Sequence, residues 1–331
     1  MFKNKTILLT GGTGSFGHAM TVALLKLNPK KILIFSRDEF KQYTMQNSFK
    51  KYISKLRFFI GDVRDSKRLN MAMKNVDFVI HAAALKQVDS AEYNPFEFIK
   101  TNINGAQNVI ESCLMNNVKK VIALSTDKAV NPINLYGATK LASDKLFVSS
   151  NNLVGSNDTK FSVVRYGNVL GSRGSVMPLF YDYLRKKKNY FPITNSKTTR
   201  FWITLETGVD FVLNSFKIMN GGEIFIPKMP SVRTVDLAKS INPKYKLKIV
   251  GLRPGEKIHE TLFSKEDCEY ILETKNSYII EPTIKKYFNY QQPKKIKFKR
   301  VKENFSYNSH DNNFLTIKEI KELNKKILLI N

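Results

Sequence analysis

The densest chemistry in the chain lies in "STDKAVNPINLYGATK", residues 125–140, where a carboxylate, two lysines and a tyrosine share one short span. Asp127 and Lys128 are adjacent, and Tyr136 and Lys140 stand four apart. Side chains four apart on a helix lie on one face, about one turn from each other. A lysine so placed stabilises phenolate and lowers a tyrosine from its reference pKa of about 10. An acid beside an amine can give and take protons on one substrate, provided that Lys128 is neutral and Asp127 protonated. Burial and the neighbouring Lys140 would favour the neutral lysine, and the pair would titrate as a coupled unit. The bland alternative is a surface Asp-Lys pair in a loop that runs into a helix. What precedes the span decides between them.

"TGGTGSFG", 10–17, stands between an apolar strand, "KTILLTGG", and a helical pattern, "SFGHAMTVALLKL". Gly11, Gly14 and Gly17 are spaced GxxGxxG, with Thr13, Ser15 and Phe16 among them. Glycine allows the tight turn, the approach of backbone to a pyrophosphate and close helix–strand packing, while the helix start supplies amides and positive dipole. In this strand–turn–helix setting the pattern points to a dinucleotide. An NAD site usually ends its second strand in an acidic residue that accepts from the ribose hydroxyls. Here "KKILIFS" ends in Ser36 and is followed by Arg37, a hydroxyl and a guanidinium suited to a 2′-phosphate, so the reading favours NADP. Asp38, Glu39, Phe40 and Lys41 continue the same cofactor segment. Asp62 and Val63 end the third strand where the adenine should lie. Ala82, Ala83 and Ala84 follow the fourth strand along the cofactor's path, with His81 as a packing residue.

The elements that must position these groups have a clear rhythm. "RFFIGD", "VDFVIHAA", "KKVIALST" and "KFSVVRYGNV" are apolar strands alternating with helical stretches, including one long amphipathic helix from near Pro95 through "NPFEFIKTNINGAQNVIESCLMNN". Near-continuous apolar strands between helices imply a parallel sheet covered on both faces: an α/β, doubly wound Rossmann sheet that binds ligand at its strands' carboxyl ends. Beyond about 170 the rhythm loosens into short strands, helices and prolines. The expected division is a dinucleotide-binding domain over 1–170, with some later elements returning to it. Residues 171–331 would be mainly a smaller substrate-binding cap and tail.

Composition narrows the function classes. The 331 residues are 42% hydrophobic, and no apolar run approaches the length of a membrane span. "MFKNKTILLTGG" is not a secretory leader, so a cytoplasmic protein is expected. Two cysteines, Cys113 and Cys268, argue against a disulfide framework or a cysteine-built metal site. The net charge of +26 raises nucleic-acid binding, but the excess is 43 lysines against 11 arginines, scattered throughout. Lysine suits solvated surfaces, whereas arginine does most bidentate phosphate recognition. Even "PKKIKFKRVK", 293–302, alternates basic and apolar residues like an exposed strand. The reading is therefore a lysine-rich surface, with no nucleic-acid, membrane or metal partner.

Tyr-x-x-x-Lys after a glycine-rich loop and a strand ending in Ser125-Thr126 resembles the extended short-chain dehydrogenase/reductase family. Together with "SRDEFKQ", "FFIGDVRD", "HAAALKQV", "VVRYGNVLGSRGSV", "TRFWIT" and "RPGEKIHE", the span resembles the inverting UDP-N-acetylglucosamine 4,6-dehydratases that begin pseudaminic acid biosynthesis. The likeness runs nearly end to end. It departs at "LKQVDSAEYNP", where that family more often has His-Val-Pro after the lysine. The resemblance implies a bound NADP, a UDP-sugar substrate and a homo-oligomer. It implies oxidation at C4, removal of the C5 proton by Lys128, departure of water from C6 helped by Asp127, hydride return to C6, and reprotonation of C5 on the opposite face. Tyr136 and Lys140 would serve C4 oxidation and cofactor placement. Lys86, which also falls on the cofactor side, and Asn168 would hold sugar and diphosphate. Arg173, Val176, Thr194, Arg200, Arg253 and Glu256 would grip the UDP, with Glu256 accepting from the uridine ribose. Asn102 matches a family position that organises the site through backbone contacts. The rival readings are a retaining 4,6-dehydratase, a 4-epimerase, and a non-catalytic NADP-binding regulator. An epimerase needs no acid–base pair at 127 and 128.

Overall fold

The computed structural model describes residues 1–155, 158–171, 176–285, 290–293 and 296–328. β1 (Thr6–Thr10) runs into α1 (Ser15–Lys26), followed by β2 (Lys31–Ser36), α2 (Glu39–Ser48), β3 (Leu56–Ile60) and α3 (Ser66–Ala72). β4 (Phe78–His81) leads through α4 (Val88–Tyr93), α5 (Pro95–Ile99) and α6 (Gly105–Met115) to β5 (Lys120–Thr126), α7 (Leu135–Ser149) and β6 (Lys160–Tyr166). Next come β7 (Asn168–Val169), α8 (Val176–Arg185), β8 (Tyr190–Ile193), β9 (Thr199–Ile203), α9 (Leu205–Ile218) and β10 (Ile224–Pro227). β11 (Ser231–Arg233), α10 (Thr234–Ile241), β12 (Lys246–Ile249), β13 (Thr261–Phe263), β14 (Ile271–Glu273), β15 (Ser277–Ile280), β16 (Lys299–Arg300), β17 (Tyr307–Asn308) and α11 (Ile317–Leu328) follow.

The main sheet has the order β16-β14-β15-β10-β6-β5-β4-β1-β2-β3. From β3 to β10 every pairing is parallel, and β15, β14 and β16 add an antiparallel edge. Strands β1, β4, β5 and β6 are apolar almost throughout because both faces are covered: Leu8, Val79, Val121 and Val163 are fully buried. The strand order reverses between β1 and β4, and that crevice is where open α/β sheets bind ligand. A second core, around Phe180, Phe191, Trp202 and Leu237, belongs to the loosely patterned half. Two small sheets there, β11-β9-β7 and β12-β8, stand over the carboxyl ends of the main strands.

Two details differ from the sequence reading. The helix from Pro95 is not uniform: Lys100–Asn104 is a π turn between α5 and α6. The basic stretch 293–302 contributes only Lys299–Arg300 as an edge strand, with Lys299 paired to Glu273 and Arg300 to Glu281; residues 294–295 lie outside the described residues. Charged edge positions of this kind discourage further strand pairing. Among the described residues no helix is long and apolar enough to cross a membrane.

Candidate active site

A cavity of about 1150 Å³ opens at the carboxyl ends of the parallel strands, between the main sheet and the small sheets above it. Its floor is the glycine-rich turn. Gly11 has φ +66°, and a Cβ there would stand 2.8 Å from the Ala83 amide nitrogen, so only glycine lets β1's exit pass so close to β4's. Gly14 caps α1, and no side chain takes the first-turn amides there, which leaves them for an anion. Thr13, Ser15, Phe16 and Gly17 line the same end, as do Ala82, Ala83, Ala84, Asp62 and Val63. His81 is buried beside them, 2.8 Å from Thr10 Oγ1 and tilted against Phe147; burial lowers its pKa to about 3, so it is a neutral packing group.

At the end of β2, Ser36, Arg37, Asp38 and Lys41 line the cavity, whereas Glu39 and Phe40, exposed residues of α2's first turn, do not. Asp38 is occupied: its carboxylate caps α2 by accepting from the Lys41 amide at 2.9 Å and pairs with Lys41 Nζ at 2.6 Å. Arg37 is half exposed and only loosely engaged, with Nη1 3.4 Å from Asp62, whose main partner is Arg64 at 2.7 Å.

The opposite end of the cavity carries the acid–base cluster. β5 ends at Thr126, whose hydroxyl accepts from the Lys128 amide and starts a single turn, Asp127–Ala129. Asn134 caps α7 by accepting from the Gly137 amide at 2.8 Å, and its amide group donates to the Gly255 carbonyl at 2.8 Å. A Cβ on Gly137 would overlap the Lys128 carbonyl oxygen, so a glycine is required for α7 to start against the turn. These local rules put Tyr136 and Lys140 on the face of α7 that meets Asp127 and Lys128, and all four line the cavity. The buried Asn102, inside the π turn, bonds both backbone groups of Leu85 and the Thr139 hydroxyl, tying the Lys86 loop to α7.

The electrostatics correct two expectations. Lys140 does not face the phenol: its Nζ donates to the Leu124 carbonyl at 2.8 Å, and burial lowers its pKa. Burial pushes Tyr136 up to about 12, and the cation that offsets this is Lys128 rather than Lys140. Lys128 itself is not poised to be neutral. Its Nζ sits 3.0 Å from Asp127 Oδ1 and 3.1 Å from Glu260 Oε1. Burial favours the neutral amine, but the two carboxylates outweigh it and hold the ammonium well above the ordinary lysine range. Asp127 is 1% exposed, and its second oxygen, Oδ2, is a buried acceptor with no partner among the described residues. The Asn168 Oδ1 is another such acceptor on the same wall. Partial burial, and then the Lys128 charge, lower the pKa of Lys86 at the cavity edge.

Val176, Thr194, Arg200, Arg253 and Glu256 also line the cavity, while Arg173 lies outside the described residues. Arg200 is less free than a diphosphate clamp would be. Its Nη1 donates to the Thr199 and Ile258 carbonyls, and its Nη2 to Glu256 at 2.9 Å. Glu256 also accepts from the Thr194 hydroxyl at 3.1 Å, and the exposed Arg253 reaches it at 3.4 Å. The residue that sequence reasoning missed is Glu260. It is the last residue of "RPGEKIHE", and its acidic type in an otherwise matched segment was the one signal for it.

The free helix start, the close backbone approach at Gly11 and the elongated cavity fit a dinucleotide together with a second ligand. A family model described as polysaccharide biosynthesis protein matches residues 7–282. The chain belongs to this family. Within the polysaccharide biosynthesis proteins it is 56% identical over 318 residues to a protein named UDP-N-acetylglucosamine 4,6-dehydratase (inverting) from Campylobacter jejuni, covering 94% of each chain. It is also 43% identical over 331 residues to a Rickettsia bellii protein named UDP-glucose 4-epimerase, covering 98% of this chain and 96% of that one. The X-ray structure of Pen from Bacillus thuringiensis superposes with a TM-score of 0.89 at 35% identity, over 98% of this chain and 99% of that one. A dTDP-glucose 4,6-dehydratase from Streptomyces venezuelae, solved with NAD, shares the fold at a TM-score of 0.67 and 20% identity, over 78% of this chain and 87% of that one. The doubly wound α/β fold and the likeness to the inverting dehydratases, both expected from the sequence, are thus borne out.

Proposed function

We propose that the protein is a C5-inverting UDP-N-acetylglucosamine 4,6-dehydratase, a hydro-lyase whose product stands at the start of pseudaminic acid biosynthesis. The observation that carries this is the meeting of the Asp127–Lys128 pair with Tyr136 in one cavity that also holds the dinucleotide turn. The 56% identity to a relative with that printed name supports the substrate and the inversion. A 4-epimerase, the name of the Rickettsia relatives, would have no use for a buried acid–amine pair.

Gly11, Gly14 and the first turn of α1 would hold the pyrophosphate of an NADP, and Arg37 with Ser36 its 2′-phosphate. When bound, the nicotinamide supplies a hydride acceptor for C4 and a donor for C6. Tyr136 is a phenol at rest and would first lose its own proton to solvent, eased by the Lys128 charge, so that the phenolate could take the 4-hydroxyl proton. Lys128 rests as the ammonium and Asp127 as its partner, which is the wrong pair of protonation states for removing a proton and expelling water. One proton moved 3.0 Å from Nζ to Oδ1 corrects both at once, giving a neutral amine for the C5 proton and a carboxylic acid for the 6-hydroxyl. Oδ1, the oxygen that receives this proton, is then the one that would pass it to the 6-hydroxyl.

Incubation with UDP-N-acetylglucosamine in deuterated water should give a 4-keto-6-deoxy product carrying deuterium at C5, without net reduction of cofactor. A 4-epimer with no loss of water, or stoichiometric NADPH, would refute the reading. The cofactor preference is a separate expectation. Asp38 is tied up by Lys41 and Arg37 is loosely held, which supports a 2′-phosphate over a bare ribose. Arg37→Asp should weaken NADP binding by about tenfold or more and leave NAD binding nearly unchanged, since one charge-assisted contact is worth about 1.5–3 kcal/mol. Equal affinities of the unaltered protein for the two cofactors would remove the argument.

A further inference from the structure

Lys128 is held by two carboxylates, and the reaction proposed above uses only one of them. Glu260 is 2% exposed, and its Oε1 lies 3.1 Å from Lys128 Nζ and 3.9 Å from Arg200 Nε. Its Oε2 is buried with no partner among the described residues. A buried carboxylate costs several kcal/mol unless it is paired and hydrogen-bonded, so a half-satisfied one in a cavity wall calls for a reason. Its backbone is fixed with unusual care. The Glu260 amide donates to the Ser309 hydroxyl at 2.9 Å, and the Ser309 amide donates back to the Glu260 carbonyl at 2.8 Å. The Ser309 hydroxyl in turn meets Thr199 Oγ1 at 2.7 Å, beside Arg200. The late segment around β17 therefore braces the backbone of one residue, whose side chain ends on Lys128.

We propose that Glu260 is a positioning residue that acts through Lys128: it holds the amine at the C5 side of the cavity and sets the pH range in which the amine ionises. The inference rests on the dehydratase reading for its purpose. When the Lys128 proton passes to Asp127, the Asp127–Lys128 ion pair disappears, and an amine held by Asp127 alone would be free to swing. A neutral amine keeps two N–H groups and one lone pair. One N–H donated to Glu260 keeps Nζ in place while the lone pair faces the substrate. The titratable and charged groups that face this contact are Asp127 after β5, Tyr136 on α7, Arg200 on β9 and Lys257 on Glu260's own loop, with Lys86 across the cavity. Of these, Asp127 and Glu260 favour the Lys128 ammonium and Arg200 opposes it.

The test is competitive acetylation of the whole protein by acetic anhydride at several pH values, read by peptide mass spectrometry. Only a neutral amine reacts, so the pH dependence reports Lys128 without any need for turnover. Lys120, at the far end of β5, is the internal reference. In Glu260→Gln, which keeps size and polarity but removes the charge, Lys128 should label about tenfold faster near pH 9 for each unit by which its pKa falls. The pH limb of C5 exchange should move to lower pH as well. Glu260→Asp restores the charge and should return labelling towards that of the unaltered protein, which loss of folding would not do. Equal Lys128 labelling in the unaltered protein and Glu260→Gln overturns the inference even if the 4-keto product forms. A labelling shift in a protein that makes no such product counts against the dehydratase reading and in favour of the Glu260 contact.

Discussion

Lys128→Met should cut formation of the 4-keto product by about 10²- to 10⁴-fold, the usual cost of losing one positioned acid or base. Tyr136→Phe should do the same, and partial reactions separate them. C5 exchange with deuterated water requires prior oxidation at C4, because only the ketone acidifies the C5 proton. Lys128→Met should still bind substrate and show reduced-nicotinamide absorbance in a single turnover, rising more slowly because Tyr136 loses the cation that favours its phenolate, with C5 exchange lost. Tyr136→Phe should show neither signal. Methionine is close to lysine in length and leaves Asp127 and Glu260 without their shared cation, so some loss of stability is expected alongside. Thermal denaturation at the assay temperature keeps that loss apart from the kinetic one. Wild-type C5 exchange in Lys128→Met would place the base elsewhere.

That Asp127, Lys128, Tyr136 and Lys140 line one cavity was legible because they are close in the chain. Asp127, Lys128, Tyr136 and Lys140 are separated only by one turn, a cap and a helix start, and Asn134 and Gly137 announce that geometry in the sequence. The dinucleotide turn was legible for the same reason: three glycines at a strand–helix junction leave few alternatives. What was not legible depends on residues distant in sequence. Glu260 reaches Lys128 only because β13 and β17 bring its loop under the strand ends, and no spacing encodes that. The sequence favours a lowered Lys128 pKa, whereas in the structure Asp127 first, and Glu260 with it, raise it. Arg200 was read as a free cation for the same reason, since its acceptors, Glu256 and the Ile258 carbonyl, come from that loop. The π turn at Lys100–Asn104 was hidden differently. It changes which carbonyl each amide meets without changing the apolar pattern of the helix, so Asn102 points inward with no break in periodicity. Of the sheet, the parallel strands declared themselves by apolar runs, while the edge order β10-β15-β14-β16 is set by tertiary pairing of short strands.

Asp127→Asn should separate proton removal from water loss, and pH should be the means of telling them apart. Asparagine keeps the size of the side chain and an oxygen for Lys128, but it has no proton to give to a leaving hydroxyl and cannot take one from Nζ. Elimination should fall by about 10²- to 10⁴-fold. C5 exchange should also fall near neutrality, because Lys128 must then lose its proton to solvent rather than to its neighbour. The sign of the pH response follows from the charges. Asp127 is one of the two carboxylates that raise the Lys128 pKa, so removing it lowers that pKa, with Glu260 still holding it up in part. Raising the pH through the lowered value produces neutral amine, and C5 exchange should climb about tenfold per unit until it levels. Water loss should not climb with it, since no pH gives the asparagine an acidic proton. Deuterium should therefore accumulate at C5 of unreacted sugar in alkaline solution, a pattern opposite to that of Lys128→Met. If elimination recovers in step with exchange, the proton for the 6-hydroxyl comes from water or from another side chain, and Asp127 serves only to hold the lysine.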